Sequence, residues 1–240
     1  MTINPLVVDL SHYDPANNYA AVRRAGVVGC IYKCTQGTSY KDGTYVAQRN
    51  AALKAGLKWG AYHFADASDP QAQAANFLNT SKLTSDSLFC LDIEENGDST
   101  VSEGQAETIV NAIEAGLGRP NECVIYSGNL IKEWLGNEKS SFWGARRLWL
   151  AQYGSNPEVQ VSWEKFWLWQ YTDGTAGPEP HTIDGCAPAG IDISSYQGSA
   201  EQLAAEWTSA ALPSPEPEQL IVTIIAPPGV KVEVKNAPLG

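Results

Sequence analysis

The chain has 240 residues, 43% of them hydrophobic, enough to bury a full core in one large α/β domain or two small ones. Its net charge of −11 comes from an excess of acids within a charged fraction of only 18%. Such a surface repels phosphate backbones, which sets aside nucleic acid and anionic membranes as partners and leaves Arg146-Arg147 as a solvated surface pair. The N-terminal residues carry no basic stretch followed by an apolar one, and no apolar run is long enough to span a bilayer. Synthesis in the cytoplasm as a soluble protein, without membrane insertion, is therefore expected. Five cysteines (Cys30, Cys34, Cys90, Cys123 and Cys186) are an odd number. Four of them lie in strand-like runs, where a thiol behaves as a small buried hydrophobe, and none has metal-ligand spacing.

In chain order, strand-like runs occupy 6–9, 27–34, 57–64, 88–94 and 123–126, with helical patterns between them. Asp14-Pro15 and Asp69-Pro70 read as N-caps followed by proline, and Gly26 and Gly56 as helix ends. The clearest helix covers 103–118, with Ala106, Ile109, Val110, Ile113 and Leu117 on one stripe and a Ser102/Gln105 capping box. Strands follow at 148–153, 166–172 and 190–194, while 154–165 lacks a helical stripe and 173–188 reads as loop. A last helix starts near Ser199 and Gln202 and runs to about Ala211. Alternation of strand and helix implies parallel pairing, and the eight strands predict an irregular eight-stranded β/α barrel, TIM-like, with helices missing in its last third. The barrel is assigned to 1–212, a proline-rich linker to 213–219, and a short C-terminal β-hairpin to 220–240. A two-stranded unit is marginal alone, so the hairpin is expected to pack on the barrel, self-associate with another copy or dock on a partner; a structural role is favoured over targeting.

Strand alternation sends Asp92 and Glu94 out of one face at the end of an apolar run. Asp9 and Asp192 end other runs within a short echo, Asp9-Leu10-Ser11-His12-Tyr13 against Asp192-Ile193-Ser194-Ser195-Tyr196. If first and last strands meet where the barrel closes, all four acids reach one rim. Crowded carboxylates hold at least one proton near neutral pH, and a protonated acid beside an ionised one is what glycosidic cleavage requires. Tyr62, Phe64, Tyr126, Trp149, Trp167, Trp169 and Tyr171 offer flat faces to sugar rings, although only one parity of each strand can face the rim. His12, His63 and His181 show neither metal spacing nor a nucleophile elbow, and His63 reads as a hydrogen-bonded core residue.

These residues resemble the family 25 glycoside hydrolases, the muramidases (lysozymes) of bacteria and phages, over roughly 5–207. The matching pieces are Val8-Asp9-Leu10-Ser11, Ile31-Tyr32-Lys33-Cys34-Thr35-Gln36-Gly37, Gly60-Ala61-Tyr62-His63-Phe64, Leu91-Asp92-Ile93-Glu94, Tyr126-Ser127-Gly128, Leu148-Trp149-Leu150-Ala151-Gln152-Tyr153, Trp169-Gln170-Tyr171 and Asp192. The resemblance implies cleavage of the β-1,4 bond between N-acetylmuramic acid and N-acetylglucosamine in peptidoglycan, without cofactor or metal. It makes Glu94 the general acid, Asp92 a stabiliser of the acetamido group or the transition state, and Asp9 and Asp192 the acidic floor. Lys33, Tyr62, Phe64, Tyr126, Trp149, Gln152 and Gln170 become the expected substrate contacts. Thr35-Gln36-Gly37 departs from the family's frequent Thr-Glu-Gly, which removes a carboxylate near the cleft. An endolysin-like role, acting on the wall after release, is expected; a non-catalytic glycan-binding module and a metal-dependent wall-sugar hydrolase are the alternatives.

Overall fold

The structure, a computed structural model, describes residues 2–208. The linker and hairpin assigned to 213–240 lie outside the described residues, as do residues 209–211 of the last helical pattern. The strands are β1 (Pro5–Leu10), β2 (Gly29–Gln36), β3 (Tyr40–Lys41), β4 (Lys58–Phe64), β5 (Leu88–Ile93), β6 (Val124–Ser127), β7 (Leu148–Ala151), β8 (Leu168–Asp173) and β9 (Asp192–Ser195). They neighbour one another in the order β1-β9-β8-β7-β6-β5-β4-β2, and a β1–β2 ladder closes this eight-stranded barrel. The exposed two-residue β3 hooks onto the end of β2, too short and polar to register as a strand pattern.

Apart from the short antiparallel β2–β3 pair, pairing is parallel from β1 through β8, but β9 runs antiparallel to both of its neighbours. The parallel pairing expected from strand–helix alternation thus holds where strands and helices alternate, and the reversed strand lies in the late segment that lacks this alternation. No helix separates β8 from β9, so the chain turns back from the upper rim instead of crossing to the bottom first. The helices are α1 (Tyr19–Arg24), α2 (Tyr45–Lys54), α3 (Pro70–Ser81), α4 (Glu103–Leu117), α5 (Asn129–Leu135), α6 (Ser141–Gly144) and α7 (Ala200–Glu206). Asp69 caps α3 by accepting from the Ala72 N–H at 2.7 Å, as its place before Pro70 predicts. Asp14 caps no helix. Its carboxylate instead accepts from the Ser11 N–H at 2.8 Å and the Ser11 hydroxyl at 3.0 Å, tying a turn, while Asn18 caps α1. No helix among the described residues is long and apolar enough to cross a membrane.

Alternation divides the apolar residues into two cores. Trp59, Ala61, Phe89, Leu91 and Ile125 face outward and pack with Phe77 of α3 and Ile109 and Ile113 of α4. Ile31, Leu88, Cys90, Val124, Tyr126, Trp149 and Leu168 fill the barrel itself. Because β9 descends, Tyr196 reaches the bottom, where its N–H donates to the Asn4 carbonyl at 3.2 Å, and α7 passes beneath the barrel. There the Trp207 ring lies against Gly29, where any Cβ would overlap it, and its Nε1–H donates to the Trp59 carbonyl at 2.9 Å. Trp207 is thus the floor of the barrel.

Arg146 and Arg147 are not a solvated pair; each is only 5% exposed. Arg146 grips Glu114 of α4 with two hydrogen bonds, Nε to Oε1 at 3.0 Å and Nη2 to Oε2 at 2.8 Å. Arg147 stacks 4.0 Å from the Trp167 ring centre and donates to the carbonyls of Glu206 and Trp207 at 2.7 and 3.2 Å. Their partners lie far away in sequence, which is why the dipeptide alone suggests solvent. All five cysteines are buried free thiols.

Candidate active site

The upper rim is where the parallel strands end, and successive ladders carry inward-facing polar residues to it. Phe64 pairs with Asp92, Asp92 with Tyr126, Tyr126 with Trp149, and Gln170 with Ser194. Asp9 and Asp192 are direct partners across the β1–β9 ladder, so the acids that end the two halves of the sequence echo meet at the seam. Asp9 arrives at the end of β1, but Asp192 arrives at the start of β9, because that strand is reversed. The expected convergence holds through a different geometry. Asp92 occupies the penultimate position of β5, and Glu94 follows its end.

Two like charges directly opposed on a ladder repel, and burial leaves little solvent to screen them. Burial and then the charges of Asp192, Asp14 and Asp92 hold Asp9 well above the carboxylate range, opposed by a hydrogen bond from Gln170. Burial, reinforced by the charges of Asp14 and Asp173, pushes Asp192 up to about 7. Asp92 is raised by burial and by Glu94, against the pull of Lys33. Glu94 is raised by burial, with Tyr126 and Lys33 holding it down. The site therefore keeps protons at pH values where isolated carboxylates have lost them. Asp9 Oδ2 and Asp92 Oδ1 are buried without a hydrogen-bond partner among the described residues. Such an oxygen is satisfied by its own proton or by a donor on a bound molecule.

Gln170 connects the acids to the aromatic wall. Its Nε2 donates to Asp9 Oδ1 at 2.8 Å, while its Oε1 accepts from the hydroxyls of Tyr126 and Tyr153, each at 2.8 Å. The hydroxyl hydrogen of Tyr126 is thereby directed at Gln170. Trp149 packs edge-on against Tyr126 with ring centres 4.6 Å apart and anchors to Ser194 Oγ through Nε1 at 2.8 Å. Lys33 donates to Gln36 Oε1 at 2.8 Å and lies 4.9 Å from the centre of the Phe64 ring. The neutral amide at Gln36 holds the ammonium in place without cancelling its charge.

Tyr62 is half-buried and faces the same acids, whose charges add to the effect of burial in raising its hydroxyl pKa. Gln152 has a different setting. Its Oε1 accepts from Lys132 Nζ and the Glu158 N–H, both at 3.0 Å, and its Nε2 donates to the Asn156 carbonyl at 2.9 Å, so its amide organises the β7–β8 loop. Trp167 joins the inner core near Trp207 and Trp169 the outer one, so neither tryptophan reaches the rim. His63 is fully buried between Thr35 Oγ1 at 2.7 Å and Gln73 Oε1 at 3.2 Å, and burial lowers its pKa to about 4.

Beside Glu94 a pocket of about 190 Å³ is lined by Ile93, Glu95, Gly128, Asn129 and Leu130. Asn129 and Leu130 open α5 and carry no motif that would mark them beforehand. Tyr153, which bonds Gln170, and Asp14, whose charge acts on Asp9 and Asp192, also lie next to the acids without being among the expected contacts. Tyr153 belongs to the Leu148–Tyr153 segment that carries the resemblance, whereas Asp14 before Pro15 has the sequence pattern of a helix cap. Among the described residues no three His, Cys, Asp or Glu side chains are grouped to hold a metal ion.

A sequence model of the glycosyl hydrolases family 25 matches residues 8–179. The autolytic lysozyme of Clostridium acetobutylicum is 31% identical over 171 residues, covering 69% of this chain and 50% of that protein. Lysozyme M1 of Streptomyces globisporus is 30% identical over 215 residues, covering 82% of this chain and 69% of that protein. The chain thus spans half the length of the first relative and about two thirds of the second. Among solved structures, the bacterial lysozyme from Streptomyces coelicolor superposes with a TM-score of 0.71 at 28% identity, over 84% of this chain and 96% of that one. The muramidase from Trichobolus zukalii gives 0.69 at 30% identity, over 82% and 96%.

Proposed function

Because the chain belongs to the glycosyl hydrolases of family 25, we propose that it is a muramidase that hydrolyses the β-1,4 bond between N-acetylmuramic acid and N-acetylglucosamine in peptidoglycan, with Glu94 as general acid. Relatives named as lysozymes and a structural neighbour named as a muramidase support the substrate class. The observation that carries the chemistry is the meeting of Asp9, Asp92 and Asp192 beside Glu94 at one rim, with burial raising all four carboxyl groups.

In this reading Glu94 gives its proton to the glycosidic oxygen as the bond to the anomeric carbon breaks, and the bonding electron pair leaves with that oxygen. Positive charge then develops on the sugar ring. Asp92, beside Lys33 and facing the cleft, stabilises that charge or orients the acetamido group, and Asp9 with Asp192 forms the acidic floor. Water adds its oxygen to the anomeric carbon and returns a proton to the carboxylate cluster. Lys33, Tyr62, Phe64, Tyr126 and Trp149 position the sugars, Gln170 orients Asp9 and Tyr126, and Gln152 acts through the loop it holds.

Glu94→Gln keeps the side chain's shape but removes its transferable proton. Release of new reducing ends from purified cell walls should fall by at least about a hundredfold, the usual contribution of a general acid, with the unfolding transition unchanged. Full activity in this variant rejects the assignment. Mass spectrometry of the wild-type fragments must also find muramic acid at the fresh reducing end; glucosamine there would mean the other glycosidic bond is cut.

A further inference from the structure

Outside the acid cluster, the same rim carries a set of rings that the proposed reaction does not use. Tyr13 is 84% exposed and Tyr40 is 40% exposed. Between them lies His12, whose ring centre is 3.9 Å from that of Tyr13 and 6.1 Å from that of Tyr40. Water-exposed aromatic surface gains the fold nothing, yet the central ring, His12, is held firmly, and the Tyr40 hydroxyl lies 3.1 Å from its Nδ1. The His12 N–H donates to Asp42 Oδ2 at 3.0 Å, and its Nδ1 lies 2.9 Å from the same oxygen. Asp42 is itself buried and fixed by the Thr44 N–H at 2.9 Å and hydroxyl at 2.6 Å. On the other side, the Tyr13 N–H donates to Ser11 Oγ at 3.2 Å within the turn that Asp14 ties.

This ring set is continuous with the catalytic cleft. Lys33 Nζ lies 5.7 Å from the centre of Tyr40 and 4.9 Å from that of Phe64, and Phe64 is the ladder partner of Asp92. An unbroken sequence of Phe64, Lys33, Tyr40, His12 and Tyr13 therefore leads outward from the acids. We propose that Tyr13, His12 and Tyr40 form a distal glycan subsite, a stacking platform for a sugar ring of the same strand beyond the pair flanking the scissile bond. The C–H face of a pyranose ring packs on an aromatic face, and a platform locked in advance loses little entropy when it binds. This subsite rests on the muramidase reading for the identity of its sugar.

The test compares wild type, Tyr13→Ala and Tyr13→Phe on peptide-free glycan strands, from the shortest oligosaccharide cleaved to long polymers. Tyr13→Ala should lower kcat/KM on long strands about five- to tenfold, chiefly through KM, and leave the shortest substrate unaffected. Tyr13→Phe, which keeps the ring, should behave as wild type. Equal losses on short and long strands, or no loss on long ones, overturn the subsite. A loss confined to walls still bearing stem peptides also overturns it, and assigns the platform to peptide. Cosedimentation of the same proteins with peptide-free strands reads the platform independently of bond cleavage. If wild type cuts nothing yet binds in a Tyr13-dependent way, the muramidase reading fails and the subsite stands; unchanged binding in Tyr13→Ala refutes the subsite.

Discussion

Lys33 tempers the proton affinity of the acids near it. Its positive charge lowers the pKa of both Asp92 and Glu94, against the stronger upward push of burial. Replacing it with methionine removes the charge and keeps much of the apolar stem. Protonated Glu94 then persists to higher pH, so the basic limb of the kcat against pH profile should move upward in Lys33→Met. An unmoved or lowered limb would show that the ammonium does not act on the proton donor. The acid pair and most of the rim were legible in the sequence, because strand period and strand-end position are local properties. Which parity faces inward was not, since Trp167 is drawn into the barrel by Trp207, a partner 40 residues further along the chain.

Among the elements, the β-strands were easiest to read. Runs such as Leu88–Ile93 are buried on both faces, and a continuous apolar stretch bounded by turn residues shows that condition plainly. The direction of β9 was not visible, because a strand's composition is the same whichever way it runs. The burial of Arg146 against α4 was likewise invisible in the dipeptide Arg146-Arg147. Glu114 reaches Arg146 across 32 residues and additionally accepts from the Cys123 N–H at 3.1 Å, so this ion pair sits inside a satisfied polar network. Arg146→Ala would strand a buried carboxylate, and the unfolding free energy from urea denaturation should fall by about 3–5 kcal/mol. A loss below about 1 kcal/mol would place the pair among exposed ion pairs instead.

For the whole molecule, the reversal of β9 joins two otherwise separate tasks. One strand delivers Asp192 to the upper rim and then carries the chain down to α7 and Trp207 under the barrel. The region matched by the family ends at residue 179, before either task begins. A chain stopped there would keep β1 and β8 but lose the strand hydrogen-bonded between them. Two bare backbone edges would face water, each a template onto which another molecule can add a strand. Such a fragment should assemble into large species detectable by light scattering; a monomer that unfolds cooperatively would contradict this. On this argument the last strand guards the barrel's edges against aggregation, and a fragment that keeps both the closed barrel and its floor extends through residue 207.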